Sequence, residues 1–171
     1  MAEVRIERAD AGRIGELEPI TRSFHRHHLT VDPAIPGIPP RHEDDWWAIR
    51  SERYRGWLGA GDGAFLLIAE LEGSPVGYAF ATLHDQDDSH ATGERFAQLE
   101  SLAVLERTRG AGIGTALLRQ VYRELHAAGV GEMVISALVT NDPAIRLYER
   151  EGFRPWVVLL IGRIPDPDRG S

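Results

Sequence analysis

A short glycine-rich segment, Arg109-Gly-Ala-Gly112-Ile-Gly114, joins an apolar run to an amphipathic run of the chain. This pattern is typical of a strand-to-helix turn, where the first backbone N–H groups of the helix have no partner and point outward. Such N–H groups bind phosphate oxygens, and glycine lets a ligand approach the backbone. Arg107 and Arg109 add positive charge at the same place. The segment therefore predicts a site for a phosphate group.

The spacing of the glycines excludes two common phosphate-binding motifs. A dinucleotide-binding G-x-G-x-x-G needs glycine where the chain has Thr115 or Leu117, and no Walker A ending of Gly-Lys-Ser/Thr is present. The segment instead resembles the Arg/Gln-x-x-Gly-x-Gly/Ala signature of the GNAT superfamily of N-acetyltransferases. A glycine-rich turn that binds nothing is the alternative, because such turns also occur for conformational reasons alone.

A second signature follows in Asn141-Asp-Pro-Ala-Ile-Arg-Leu-Tyr148-Glu-Arg-Glu-Gly152-Phe153. It is similar to the second GNAT signature, in which Asn precedes a short helix ending in Tyr-x-x-x-Gly-Phe. The local sequence predicts the same helix, since Asp142 is a good N-cap, Pro143 suits the first turn and Gly152 suits the C-terminal end. Both signatures occur in the family's order, and the resemblance is detailed over residues 96–156.

Composition bounds the class of protein. The chain has 171 residues, a net charge of −7 and no cysteine, which excludes disulfides, thiolate metal sites and a cysteine nucleophile. The acidic balance argues against nucleic-acid binding, and no apolar run is long enough for a signal peptide or a membrane span. We therefore expect a cytoplasmic protein with one domain over residues 1–164 and a loose tail over 165–171.

The pattern of apolar residues predicts an α/β protein with a mixed sheet and helices on both faces. The element order is β-α-α-β-β-β-α-β-α-β, which matches the GNAT order. The predicted strands are 4–8, 65–69, 76–83, 96–104, 133–139 and 156–161, and the predicted helices are 10–29, 43–58, 113–128 and 143–151. The run at 133–139 is nearly all apolar and is interpreted as a central strand.

The resemblance implies acetyl transfer from acetyl-CoA, or a related acyl-CoA, to an amine. A primary amine with a pKa near 10.4 must lose a proton before it attacks, and a nearby carboxylate relieves that handicap. Glu100 lies where the family often has this base. A solvated surface glutamate is the alternative, and period-two alternation puts Glu100 on one face with Leu102 and Val104. Gln98 could only orient a water.

The resemblance also implies the remaining site residues. Tyr148 would donate a proton or hydrogen bond to the departing CoA thiolate, and Asn141 would contact the pantetheine or the sulfur end. Backbone groups would bind the rest of the cofactor. Those assigned to the thioester carbonyl and pantetheine are Leu102, Ala103 and Val104, and those assigned to the pyrophosphate are Arg109, Gly110, Ala111, Gly112, Ile113, Gly114 and Thr115. The chemistry requires no metal.

The acceptor is the least determined partner. It could be a small-molecule amine or a peptide amine, and the acidic residues at 43–45, 85, 87 and 88 favour a cationic one. The histidines at 25, 27 and 28 lack zinc-ligand spacing and are interpreted as solvated or as lining an acceptor pocket. A homodimer through the last strand is compatible with the family. An acyl-CoA-binding module without turnover and a protein that binds another nucleotide phosphate are the alternative functions.

Overall fold

The computed structural model describes residues 4–61, 63–86 and 90–164. Its strands are β1 (Val4–Ala9), β2 (Ala64–Leu71), β3 (Ser74–Asp85), β4 (Arg95–Val104) and β5 (Met133–Ile135). Its α-helices are α1 (Glu18–Thr30), α2 (Glu43–Gly59), α3 (Ile113–Ala127) and α4 (Asp142–Arg150). Short 3-10 helices cover Ala11–Leu17 and Glu106–Thr108. Among the described residues, no helix is long and apolar enough to cross a membrane.

The strands form a mixed five-stranded sheet in the order β1-β2-β3-β4-β5. The first four strands pair antiparallel with their neighbours, whereas β4 and β5 pair in parallel. Helix α2 covers one face, where Tyr54 stacks on Phe80 with ring centroids 4.2 Å apart. Helix α3 covers the other face, where Leu117 approaches Gly77 of β3 closely. The predicted α/β class with helices on both faces is confirmed.

Helix α3 is the element that the sequence pattern predicts best. Ile113, Leu117, Val121 and Leu125 recur every four residues, and each is at most 4% exposed. They belong to the same hydrophobic core as Leu67 and Ala79, a fully buried strand pair whose side chains lie on the α3 face. Burying an aliphatic side chain stabilises the fold by roughly 1.5–3 kcal/mol. The start of α3, which carries the glycine-rich turn, is therefore fixed to the sheet.

A β-bulge interrupts β4 at Glu100. Phe80 of β3 pairs with Ser101, and the next residue, Ala81, pairs with Leu99, so Glu100 is one extra residue without a partner of its own. The side chains of Glu100 and Ser101 consequently lie on the same face, the one that α2 covers. The predicted period-two alternation is wrong at this point, because the bulge moves Leu102 and Val104 to the α3 face.

Two strand predictions near the C-terminus are also wrong. The run at 133–139 forms a strand only over Met133–Ile135, and β5 lies at the end of the sheet rather than at its centre. Residues 156–161 form no strand. Within the described chain nothing pairs with them, and a strand needs a neighbour for its backbone hydrogen bonds. Leu159 is 91% exposed and Leu160 is 86% exposed.

Helix α4 begins one residue earlier than predicted. Asn141, not Asp142, is the N-cap, and its side-chain oxygen accepts a hydrogen bond from the Ala144 N–H at 3.4 Å. Pro143 lies in the first turn, where it loses no helical hydrogen bond. Gly152 follows the helix with φ of +98°, a conformation that glycine adopts at little cost.

Candidate functional site

Strand β4 is paired on both sides only over its first half. Its parallel pairing with β5 covers Ala97, Gln98 and Leu99, and β5 ends at Ile135. From Glu100 to Val104 no strand of the described chain lies along that side of β4. The sheet therefore opens into a cleft whose wall is the second half of β4. Leu102 and Val104 are half-buried there, and Ala103 is buried.

The cleft leads to the glycine-rich turn at the start of α3. No backbone carbonyl in the described part of the chain accepts a hydrogen bond from the N–H groups of residues 110–115. The first helical bond of this turn runs from the Ala116 N–H to the Gly112 carbonyl. The N–H group of Arg109 differs from the prediction, because it donates to the Glu106 carbonyl at 3.1 Å and is unavailable to a phosphate. The free donors thus run from Gly110 to Thr115.

The glycines of the turn have two different roles. Gly110 and Gly112 have φ of +79° and +80°, so the turn itself requires glycine at both positions. Gly114 does not have a positive φ, and an added Cβ would meet only Val104, at an ordinary 3.8 Å. Glycine in a helix costs about 1 kcal/mol relative to alanine. The fold therefore does not require glycine at position 114. The effect of glycine there is to leave the backbone N–H groups without a side chain over them.

Positive charge extends from the turn along α3. A cavity of about 570 Å³ lies beside Gly112 and Thr115, and Arg119 and Arg123 line it. Arg109 is exposed, and its Nε donates to the Val104 carbonyl at 3.3 Å. Arg119 and Arg123 were not predicted as site residues from the sequence. Their spacing of four residues from each other and from Thr115 was the available signal, since such residues share one side of a helix.

Glu100 belongs to a small polar cluster on the α2 face of the sheet. Its Oε1 accepts a hydrogen bond from the Thr82 hydroxyl at 2.8 Å. The Thr82 oxygen lies 2.8 Å from Nε2 of His84, and His84 stacks on Phe96 with centroids 5.4 Å apart. Because the Thr82 proton is donated to the carboxylate, the His84 Nε2 must be the donor to Thr82. The carboxylate is half-buried and held in place, unlike a solvated surface glutamate.

Thr82 and His84 were missed in the sequence analysis. They alternate on β3, so both project to the face that also carries Glu100. Their pairing partners are Gln98 and Phe96, which precede Glu100 on β4. Gln98, the alternative to Glu100 in the sequence analysis, therefore lies on the same face, but the Thr82 hydrogen bond goes to Glu100.

Tyr148 lies on the inner side of α4 and packs against the core. Its ring is 6.2 Å from that of Phe153, in an edge-to-face arrangement. Burial, with a smaller contribution from Tyr122, raises the pKa of the Tyr148 phenol to about 12. The phenol is therefore fully protonated at neutral pH and acts as a hydrogen-bond donor.

Asn141 is 7% exposed at the start of the same helix. Its side-chain oxygen serves as the N-cap of α4, which leaves the amide NH₂ group as the free donor. Asn141 is thus the N-cap and Tyr148 a last-turn residue of one helix, which follows the end of β5. Their predicted contacts with the cofactor remain predictions.

The acidic residues expected to attract a cationic acceptor are already partly paired. Glu43 forms ion pairs with Arg22 at 3.3 Å and Arg26 at 2.6 Å, and Asp44 pairs with Arg22 at 2.7 Å. Asp45 is exposed. Asp87 and Asp88 lie outside the described residues. Paired carboxylates attract an incoming cation less strongly, so Glu43 and Asp44 favour a cationic amine less than free carboxylates would.

Comparison with known sequences identifies the family. A sequence model of the acetyltransferase (GNAT) family matches residues 25–153. A mycothiol acetyltransferase of Pseudarthrobacter chlorophenolicus is 28% identical over 139 residues, which cover 71% of this chain and 42% of that protein. An N-alpha-acetyltransferase of Sulfurisphaera tokodaii is 34% identical over 102 residues, covering 56% of this chain and 60% of that one. The chain spans less than half the length of three of the mycothiol acetyltransferases it matches.

Solved structures share the fold at low sequence identity. A GCN5-related N-acetyltransferase from Ralstonia eutropha JMP134 superposes with a TM-score of 0.73 and 17% identity, covering 94% of this chain and 99% of the other. The aminoglycoside N-acetyltransferase AAC(6')-Iy in complex with CoA gives a TM-score of 0.68 at 18% identity, with 96% of each chain covered. The sheet, the order of its elements and the family match over residues 25–153 agree: this chain belongs to the GNAT family of acetyltransferases.

Proposed function

We propose that this chain transfers an acetyl group from acetyl-CoA to a primary amine. The observation that carries the proposal is the course of β4 and the turn after it. Three features follow one another along the chain: the hydrogen-bonded carboxylate of Glu100, the unpaired strand edge at 102–104 and the free N–H groups at 110–115. These are, in order, a proton acceptor, an edge for an extended ligand and an anion site.

The residues fit the parts of CoA in that order. The N–H groups of Gly110 to Thr115 would bind the pyrophosphate, and the charge of Arg109 supplements them. The backbone of Leu102, Ala103 and Val104 would bind the pantetheine arm along the open edge of β4. Arg119 and Arg123, beside the adjacent cavity, suit the remaining phosphate. The Asn141 amide would donate near the sulfur end.

Glu100 is the proposed general base. An amine with a pKa near 10.4 is almost entirely protonated at pH 7, a handicap of about 4–5 kcal/mol. The carboxylate would take the amine proton, directly or through a water, as nitrogen attacks the thioester carbonyl. The Thr82 hydroxyl and the His84 ring fix the carboxylate in one orientation, which reduces the entropy cost of reaching the reactive geometry.

Tyr148 is the proposed hydrogen-bond donor to the sulfur as the C–S bond breaks. Its raised pKa favours a hydrogen bond to the thiolate over complete proton transfer. Acetyl-CoA supplies the activated acyl group. The other groups of the site bind and orient, and the nitrogen proton leaves through Glu100.

The names of related proteins guide the choice of acceptors to test. Relatives are named for mycothiol and for N-alpha acetylation, and a structural neighbour for aminoglycosides. The panel should therefore contain protein N-termini as short peptides, aminoglycosides, free amino acids and polyamines. The protein has neither cysteine nor lysine, so it contributes no thiol to the assay and no lysine acceptor.

The decisive test is release of free CoA thiol from acetyl-CoA across this panel. We expect amine-dependent release above the hydrolysis blank for one acceptor class. Glu100→Gln should lower kcat/KM by about 100-fold or more at pH 7, with partial recovery at high pH, where the free amine is more abundant. Glu52→Gln, an exposed glutamate of α2, is the matched control and should retain activity. CoA binding without release for every amine would instead support a binding module.

We also infer that the functional unit is a homodimer formed through the C-terminal segment. Residues 157–161 are consecutive apolar residues, exposed by 62% at Ile161 and by up to 91% at Leu159. Strand β5 ends the sheet, and among the described residues its outer edge has no partner strand. Monomers rarely expose a continuous apolar surface of this kind, and a second copy of the chain would cover it.

A further inference from the structure

Arg50 is a half-buried guanidinium without a carboxylate partner in the described part of the chain. Its Nη1 donates to the Tyr54 hydroxyl at 3.1 Å and to the Ser101 hydroxyl at 2.5 Å. Arg22 and Arg26, on the adjacent helix α1, each form ion pairs with acidic residues. A buried cation without a counter-charge is energetically costly. An anion that binds beside Arg50 would supply the counter-charge that the described protein does not provide.

The surroundings of Arg50 are aromatic rather than acidic. The guanidinium lies 4.3 Å from the ring centre of Trp46 and 5.8 Å from that of Phe24. Burial first, and the charge of Arg50 second, lower the pKa of the nearby His28 to about 4, so that ring is neutral at pH 7. The Nδ1 atom of His25, a residue packed against Trp46, is buried and has no hydrogen-bond partner among the described residues. The cluster therefore holds the positive charge of Arg50 and an unmatched polar nitrogen of His25.

The Arg50 guanidinium lies on the same face of the sheet as Glu100, the proposed base, and next to it along β4. Its partner Ser101 directly follows Glu100, and the bulge brings both side chains to the α2 face. Consecutive Cα atoms are about 3.8 Å apart. The guanidinium that binds Ser101 therefore lies within the length of a small molecule from position 100. Nε and Nη2 of Arg50 make no hydrogen bond to the described residues and remain for a ligand.

We propose that Arg50 is the anion subsite of the acceptor site, and that the acceptor amine carries a carboxylate within a few bonds of its nitrogen. Amino acids and short peptides have this chemistry. The inference rests on the proposed acetyl transfer, because it assumes that the amine meets Glu100. Guanidinium binds carboxylate through two parallel hydrogen bonds, which would orient the amine toward the base.

A purely structural Arg50, which only braces α2 against β4, is the competing explanation. The two differ in their dependence on the acceptor. A brace affects all acceptors alike, whereas an anion subsite affects only acceptors with a carboxylate. The comparison of each free amino acid or dipeptide with its C-terminal amide separates them, because the amide keeps the amine and loses the negative charge.

The experiment measures kcat and KM for such acid and amide pairs with the wild-type protein, Arg50→Gln, Arg50→Lys and the control Arg55→Gln. Arg55 is an exposed arginine of the same helix. We expect the wild type to favour the acids by about 10–100-fold in kcat/KM, mainly through KM. Arg50→Gln should lower kcat/KM for the acids far more than for the amides and so abolish the preference. Arg50→Lys should restore part of the preference, and Arg55→Gln should keep it.

Three results would overturn the inference. Equal kcat/KM for acids and amides with the wild type would exclude an anion subsite and leave acetyl transfer intact, without relying on the fold of any variant. An equal loss for acids and amides in a folded Arg50→Gln would indicate the structural role. No amine-dependent CoA release with either series, despite CoA binding, would refute the proposed function and with it this inference.

Discussion

Burial of Tyr148 has two opposite effects on its phenol: it makes the proton harder to transfer, and it strengthens a hydrogen bond that the hydroxyl donates. Its position on the inner side of α4 raises its pKa to about 12, which makes it a weaker acid than free tyrosine. A thiol has a reference pKa near 8.5, so complete transfer of the phenol proton to a thiolate would cost about 5 kcal/mol. A hydrogen bond avoids this cost, and the buried surroundings strengthen it.

Tyr148→Phe removes only the hydroxyl, so the fold and the CoA site should persist. We expect kcat to fall by about 10–100-fold, because a donor to the leaving sulfur is lost. The affinity for acetyl-CoA, measured by calorimetry, should change by less than about threefold, since the hydroxyl acts mainly on the thiolate. A variant that retains full kcat would remove Tyr148 from the mechanism. Tyr122→Phe, which also deletes a nearby phenol oxygen, is the control.

The sequence predicts the reactive residues unevenly, for a physical reason. Glu100 and Tyr148 could be proposed because each lies at a fixed distance from a motif. Thr82, His84 and Arg50 come from elements without a motif, and only strand pairing and helix packing bring them to Glu100 or Ser101. The alternation of Thr82 and His84 was readable, but its register with β4 was not.

The start of α3 determines phosphate binding at the level of an element. Gly114 lies in its first turn, and the fold has room for a Cβ there. Gly114→Ala should raise the free energy of unfolding by about 0.5–1 kcal/mol, because alanine is the better helix former. The KM for acetyl-CoA should rise at the same time, because the methyl group would stand over the free N–H groups.

Urea unfolding and acetyl-CoA saturation curves measure the two effects of Gly114→Ala independently. Gly56→Ala, at an open position within α2, is the control that should stabilise without changing the KM. A Gly114→Ala protein that is stabilised and binds acetyl-CoA as well as the wild type would show that no ligand approaches this turn.

The packing of α1 against α2 makes stability depend on pH. Burial first, then the electrostatic effect of Arg50 and of the neighbouring rings of His27 and His25, hold the pKa of His28 near 4, whereas unfolding returns it to about 6.5. Asp32 acts weakly in the opposite direction. Between these values the unfolded chain binds the proton and the folded one does not. Stability is therefore lost as the pH falls from about 6.5 to about 4, by about 3 kcal/mol in total.

His28→Gln should remove this part of the pH dependence. Denaturant unfolding at pH 7.5 and pH 4.5 should show a smaller loss for His28→Gln than for the wild type, while His126→Gln, an exposed histidine of α3, should behave like the wild type. Identical losses in all three proteins would mean that His28 titrates normally in the folded state.

Elements with a strong local period were predicted well, and those that depend on a partner were not. Helix α3 has its apolar residues every four positions and begins where the sequence indicates. Strand β5 is shorter than its apolar run, because β4 diverges from it after Leu99. The run at 156–161 has strand composition, but composition does not supply a neighbouring strand.

The exposed C-terminal segment bears on the oligomeric state of the protein. If a second copy covers it, the double variant Val158→Asp/Leu160→Asp should dissociate the dimer, because both side chains are more than three-quarters exposed in the single chain. Sedimentation velocity over a range of protein concentrations measures this. Leu29→Asp, at a 45% exposed position of α1, is the control and should remain dimeric. A monomeric wild type would refute the homodimer.

The single extra residue in β4 also bears on how relatives of this chain are aligned and redesigned. Before Glu100 the even-numbered side chains face α2, and after it the odd-numbered ones do. Deleting Glu100 would therefore do more than remove a carboxylate: it would turn Gln98 and Phe96 toward α3 and bring Leu99 out beneath α2. A relative whose strand lacks the bulge has one residue fewer, so its alignment with this chain needs a gap at Glu100. Without that gap, residues facing α2 in one protein would be aligned with residues facing α3 in the other along half of β4. Substitution, not deletion, is consequently the informative change at this position.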